Sequence, residues 1–172
     1  IDAGLVEIDS KMGEGSSFKI QLPLTMAIVP ALLVTIKKIT YAIPLNNVVE
    51  TLVIGPEEIY RIDQKEVIHL RERVVSLAYL SDVLGTERSL EEKKKYYVII
   101  VGAGEQRVGL VVDHLLGQEE VVIKSIGPFF EEVNIIAGAT IMGDGSVVLI
   151  LDVGNILQQI NRKPGFTRGL EV

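Results

Sequence analysis

Apolar residues recur along this chain in short runs, each ended by glycine, proline or a charged pair, and such runs predict β-strands joined by tight turns. Near the start, Gly4-Leu5-Val6-Glu7-Ile8-Asp9-Ser10 and Ser17-Phe18-Lys19-Ile20-Gln21-Leu22 alternate apolar with polar, as half-buried strands do. Lys11-Met12-Gly13-Glu14-Gly15-Ser16 supplies a glycine-rich turn between them. That predicts a lone hairpin, a unit that normally belongs to a larger sheet. Pro23 closes it. Thr25 is placed to cap a short helical connector, and Pro30 ends that connector or turns the chain extended.

Four further strand pairs are predicted. Residues 32–36 and 39–43 meet at Lys37-Lys38, and 67–70 with 74–77 surround Arg71-Glu72-Arg73. Residues 96–101 and 106–112 pair across Gly102-Ala103-Gly104, the strongest hairpin signal here; 139–142 and 146–150 pair across Gly143-Asp144-Gly145. The pattern also repeats. Leu77, Leu80, Val83 and Leu84 recur as Ile150, Val153, Ile156 and Leu157, each displaced by 73 positions, with spacing suited to one or two helical turns. Likewise Tyr41-Ala42-Ile43-Pro44-Leu45-Asn46-Asn47-Val48 aligns with Val108-Gly109-Leu110-Val111-Val112-Asp113-His114-Leu115. Hairpin, excursion, hairpin, short helix therefore occurs twice. The reading is two small barrels sharing a core, since closure removes exposed sheet edges.

Composition narrows the chemistry. The 172 residues are 48% hydrophobic, with no Trp or Cys, and the mean hydropathy is +0.35. A substantial core is affordable, and Val, Ile and Leu favour strands. A net charge of −6 argues against a nucleic-acid partner, because Lys93-Lys94-Lys95, the one basic run, follows Glu91-Glu92. Without cysteine there is no disulfide, thiolate metal site or cysteine nucleophile, which fits a reducing cytoplasm. The longest apolar run, 26–34, is far shorter than a span of about 20 residues and contains Pro30, so no membrane insertion is expected. No basic stretch precedes an apolar core at the start, so no signal peptide is expected either.

No catalytic or metal constellation emerges. His69 sits within a strand and His114 follows Asp113, but neither has the convergent ligands a metal needs. Ser16, Ser125 and Ser146 lack a nucleophile-elbow setting and a base. Asp144 lies in a turn that its own side chain stabilises, and Asp152 opens a helix. The residues read as a binding module. The excursion 53–60 and the region around Leu115-Leu116 carry apolar groups beside turn formers and charges, so Ile54, Ile59, Tyr60, Leu115 and Leu116 are candidate partner-binding residues. The alternative is that they plug barrel ends.

Gly13-Glu14-Gly15-Ser16 alone is only a turn motif. Followed by Ser17-Phe18-Lys19-Ile20-Gln21-Leu22-Pro23-Leu24-Thr25, it resembles the end of the ATP-binding domain of histidine kinases. The resemblance makes Gly13, Gly15 and Ser16 a remnant of a cofactor site, Ser16 lying near the adenine pocket in that family. The boxes that hold Mg²⁺ and phosphates are absent from these 172 residues, so this stretch is expected to hold no cofactor. Next, Ala31-Leu32-Leu33-Val34, Tyr41-Ala42-Ile43-Pro44-Leu45, Gly109-Leu110-Val111-Val112-Asp113, Leu116-Gly117-Gln118-Glu119-Glu120-Val121-Val122-Ile123-Lys124-Ser125-Ile126 and Gly138-Ala139-Thr140-Ile141-Met142-Gly143-Asp144-Gly145-Ser146-Val147 together resemble the CheA family of chemotaxis histidine kinases.

That resemblance implies a mainly β, CheW-like fold of two five-stranded Src-homology-like barrels, preceded by a hairpin from an α/β kinase domain. It divides the chain into a kinase-domain end at 1–24, a connector at 25–30, a regulatory domain at 31–160 and a loose tail at 161–172. It implies a regulatory and scaffold role: binding a CheW-type adaptor and chemoreceptor cytoplasmic tips, and coupling receptor state to autophosphorylation. The parent would be a cytoplasmic homodimer using ATP and Mg, with this piece catalytically inactive. A free-standing CheW-type adaptor is the alternative that the N-terminal stretch disfavours. A small-ligand-binding β-domain lacks a convergent polar site in the sequence.

Overall fold

The computed structural model describes residues 5–21, 27–89, 91–123 and 135–162. Strands β1 (Leu5–Lys11) and β2 (Gly15–Gln21) pair antiparallel as a hairpin with a sheet of its own. Its turn needs left-handed backbone at Gly13 (φ 88°) and Gly15 (φ 101°), conformations that cost glycine nothing. Among the described residues no ladder joins this hairpin to another strand, and Ile8 on it is 67% exposed.

The remaining strands are β3 (Ala27–Ile36), β4 (Ile39–Pro44), β5 (Val48–Ile54), β6 (Ile59–Ile62), β7 (Lys65–Leu70), β8 (Arg73–Tyr79), β9 (Tyr96–Ala103), β10 (Gln106–Val112), β11 (His114–Ile123), β12 (Ile136–Ile141) and β13 (Val147–Leu151). Helix α1 (Leu80–Val83) follows β8, and α2 (Val153–Arg162) follows β13. All four expected strand pairs form, with Lys37 (φ 48°) and Lys38 (φ 68°) making the tight β3–β4 turn. One sheet runs β5-β9-β10-β8-β7-β6 and the other β11-β3-β4-β13-β12. The first therefore has six strands where the barrel reading gave five, because β6 adds along β7 at its edge.

The connector reading is corrected. Residues 27–30 are strand, not helix: they form the first part of β3 and pair with β11, Pro30 opposite Glu120. β4 stops at Pro44 opposite Ala31, so Pro30 has no β4 neighbour to which it would owe an N–H. Thr25, the expected cap, lies outside the described residues.

The two sheets exchange hairpins. β10, from the second half of the chain, pairs parallel with β8 of the first half, Val108 beside Ser76 and Gly109 beside Leu77. β13, from the second half, pairs parallel with β4 of the first, Leu149 beside Tyr41 and Ile150 beside Ala42. These registers are equivalent under the repeat read from the sequence. Leu77 corresponds to Ile150 and Gly109 to Ala42. Each sheet has its own interior cluster, and a third lies between them. β9 serves two clusters: Val98 and Ile100 face its own sheet's interior, while Ile99 and Val101 face the shared core with α1 and α2. All four are essentially inaccessible, which is why this strand reads as a continuous apolar run.

Gly109 has no room for a side chain. A Cβ on Gly109 would lie 2.7 Å from Leu77 Cδ2 and 2.9 Å from Val98 Cγ1, and both neighbours are fully buried. Gly109→Val should destabilise the fold by about 1–3 kcal/mol through overpacking, measured by denaturant unfolding. Removing residues 1–24 should instead change unfolding free energy by only about 0.5 kcal/mol or less, as for surface changes. A larger loss would show the hairpin to be part of the cooperative unit.

Candidate functional site

The candidate nucleotide remnant sits at the tip of the lone hairpin. Gly13, Gly15 and Ser16 are exposed, with Glu14 N donating to Lys11 O at 3.2 Å. Among the described residues this hairpin ladders to no other strand, and the shallow cleft at its tip is lined by its own residues. Asp144 and Asp152 behave as the sequence suggests. Asp144 Oδ1 accepts from Ser146 N at 2.9 Å within its turn, and Asp152 Oδ1 accepts from Asn155 N at 3.0 Å at the start of α2. Among the described residues no group of His, Asp and Glu could hold a metal. No helix there is long and apolar enough to cross a membrane.

The five candidate partner-binding residues separate. Ile54 is only 6% exposed and belongs to the interior of the six-stranded sheet. Ile59 packs on the same cluster, and Leu115 packs on the core between the sheets. Ile54 is corrected to a core position: it ends β5 facing inward, although Gly55-Pro56 after it suggested an exposed loop, while Ile59 and Leu115 are half-buried against those cores. Tyr60 (49% exposed) and Leu116 (57%) do face solvent. Tyr60 meets His69 edge to face, ring centroids 5.0 Å apart. Val49 and Val53 on β5, Ile62 on β6 and Val74 on β8 are also large and exposed. Neither β5 nor β6 is among the strands that the hydrophobic pattern predicts; the β-branched run from Val48 to Ile54 is the signal for the first.

Two of the clefts among the described residues lie on the double sheet. One, of about 510 Å³, lies beside Val49, Leu70 and Val75, and at its rim the Arg71 guanidinium meets Glu50 Oε2 at 3.4 Å. Both side chains reach solvent, Arg71 more than Glu50, so this pair orients the rim more than it stabilises the fold. The other, about 280 Å³ and polar, lies under the connector between α1 and β9. That connector is tied down at two points. Arg88 forms a two-point ion pair with Asp82, its Nε donating to Oδ2 at 2.9 Å, and lies over the Tyr79 ring at 3.5 Å from the centroid. Lys93 Nζ meets Asp113 Oδ1 at 3.2 Å, while Asp113 Oδ2 accepts from Lys37 N at 2.8 Å.

Burial first, and then the charge of the Glu66 carboxylate, push the Tyr79 phenol well above its ordinary value of 10.0. The folded state therefore keeps this phenol protonated. The resulting stabilisation is fully present below pH 10.0 and is lost as pH rises through the folded value. Folded wild-type and Tyr79→Phe proteins should thus show equal phenolate absorbance at about pH 11. After denaturation at the same pH they should differ by one tyrosine.

A CheW-like domain family model matches residues 30–161. The chain is 48% identical over 154 residues to the sensor histidine kinase CheAY of Helicobacter pylori, and 46% identical over 156 residues to the chemotaxis protein CheA of Treponema pallidum. Identity to the chemotaxis protein CheA of Bacillus subtilis is 39% over 154 residues. Each match covers 90% of this chain, but the chain spans only 19%, 19% and 23% of those relatives' lengths. The crystal structure of the scaffolding protein TtCheW from Thermoanaerobacter tengcongensis superposes with a TM-score of 0.59 at 19% identity, covering 73% of this chain and 90% of that one. That likeness is one of fold, and it includes the double-sheet architecture. On the extent of the family match, the chain belongs to the CheW-like domain family.

Proposed function

We propose that this chain is the regulatory and scaffold domain of a chemotaxis histidine kinase. It docks a CheW-type adaptor and chemoreceptor cytoplasmic tips and couples receptor state to autophosphorylation in the parent enzyme. The observation that carries this reading is identity of up to 48% to CheA-type proteins across 90% of the chain. The surface agrees with docking: β5, β6, β11 and β12 are edge strands, and all four carry large exposed apolar side chains, at Val49, Val53, Tyr60, Ile62, Leu116 and Ile141. Related sheets meeting edge to edge would combine backbone pairing with burial of those groups.

In this reading residues 1–24 are the end of the ATP-binding domain, and ATP and Mg act in the parent, a cytoplasmic homodimer. Residues 31–160 are the regulatory domain, 25–30 the link and 161–172 the tail, of which 161 and 162 still belong to α2, with Asn161 Oδ1 accepting from Gln106 Nε2 at 2.9 Å. The link differs from a flexible tether. Residues 27–30 belong to β3 and are laddered to β11 through Ile123, so the chain leaves the domain as paired strand. A reorientation of the regulatory sheet would therefore be carried directly to residue 27. The adaptor interaction is tested by calorimetry with a purified CheW-type protein. Leu116→Asp should raise Kd at least about tenfold, about 1.4 kcal/mol, with unchanged unfolding. Ile59→Asp should instead lower stability by about 1–2 kcal/mol, because it places a charge against the apolar cluster on which Ile59 packs. Undiminished binding by Leu116→Asp would move the docking surface away from β11.

A further inference from the structure

We infer that the polar cleft beneath the α1–β9 connector is a socket for one basic side chain, an arginine or lysine on a loop of a partner protein. Its floor is Glu66 on β7, only 8% exposed. Glu66 Oε2 has no hydrogen-bond partner. Oε1 has a single cation near it, the Arg61 guanidinium at 3.9 Å, on a side chain that is itself 62% exposed. Buried carboxylates are ordinarily paired and hydrogen-bonded on both oxygens, so this one, with the neighbouring Tyr79 phenol and the distant Arg61 as its company, presents an open acceptor at Oε2 and a charge only partly compensated.

The walls fit the same occupant. Arg88 and Lys93 line the cleft but are already committed to Asp82 and Asp113. Lys37, the remaining cation, is exposed. Glu87 and Glu91 sit exposed at the rim, and no ion pair engages them among the described residues. Tyr79 and Tyr96 add aromatic surface, on which a guanidinium or ammonium group is favourable. The volume of about 280 Å³ lies below the usual range of roughly 300–1,000 Å³ for drug-sized ligand pockets. It suits a side chain rather than a metabolite. Arginine fits best, since its planar fork can reach Oε2 from the open side while stacking on a tyrosine.

The inference does not depend on which adaptor or receptor the domain meets. Its test is an NMR titration of the labelled 172-residue chain with N-acetylarginine methylamide and with the citrulline analogue, which has the same shape but no charge. The arginine probe should shift Glu66, Tyr79, Ser81 and Tyr96 resonances together and saturate. Citrulline should bind at least tenfold more weakly. Glu66→Gln should abolish the arginine response while preserving or raising the melting temperature, because it removes a buried charge that is only partly compensated. Equal responses to the two probes, an unchanged response in Glu66→Gln, or silence of the wild-type cleft would each overturn the proposal. Silence would mean that water alone satisfies the carboxylate. Should Glu66→Gln fold poorly, the comparison of arginine with citrulline on the wild-type chain still decides.

Discussion

The parallel contact between hairpins from opposite halves of the chain is the constraint on which the rest of this domain depends. Leu77 beside Gly109, and Ile150 beside Ala42, are the same contact made twice. In each, a bulky residue ahead of a helix is received by a residue with little or no side chain. The fit is close at Gly109, where a Cβ would lie 2.7 Å from Leu77 Cδ2, although flanking pairs in the same ladders, Val111 with Tyr79 and Leu149 with Tyr41, are both large. Through these ladders each sheet takes up two strands from the other half of the chain. The helices that follow, α1 and α2, then fall against the shared core, where Leu80, Val83, Ile156 and Leu157 are all buried.

Much of this was legible in the sequence, and the reasons are local. The repeat was visible because the 73-residue displacement aligns residues bound by packing on both sides, where composition is most constrained. What the sequence did not show is the exchange. Parallel partners lie far apart along the chain, and no turn residue marks their pairing. β6 was missed for a different reason: only four residues long and exposed on three of them, it is held by pairing with β7. β11 is similar. Its stretch Gly117-Gln118-Glu119-Glu120 is exposed throughout, and backbone pairing to β3 rather than burial makes it a strand.

The candidate site divides along the same line. Exposed Tyr60 and Leu116 were identifiable from their loop-side positions, but neighbouring Ile54, Ile59 and Leu115 were not separable from them. In a strand, adjacent residues face opposite ways, so an error of one position turns a surface residue into a core residue. The Glu66 carboxylate and the connector ties escaped notice because they join residues distant in sequence. Arg61 is on β6, Tyr79 ends β8, Arg88 is in the connector and Asp113 lies between β10 and β11.

Asp113 shows how such a domain can act as one body. It lies where the chain leaves β10 of the six-stranded sheet to enter β11 of the five-stranded one. One carboxylate oxygen holds Lys37 N in the β3–β4 turn, and the other meets Lys93 in the connector leading to β9. Its own N–H donates to Thr35 O at 3.0 Å. One residue thus fastens the junction to a turn of one sheet and to the lead-in of the other. Sliding the sheets apart would break these bonds and the exchanged ladders together, and no single loop could absorb the motion. In the reading proposed above, a displacement imposed at an exposed edge would reach residue 27 through β3, which is laddered to β11 over most of its length.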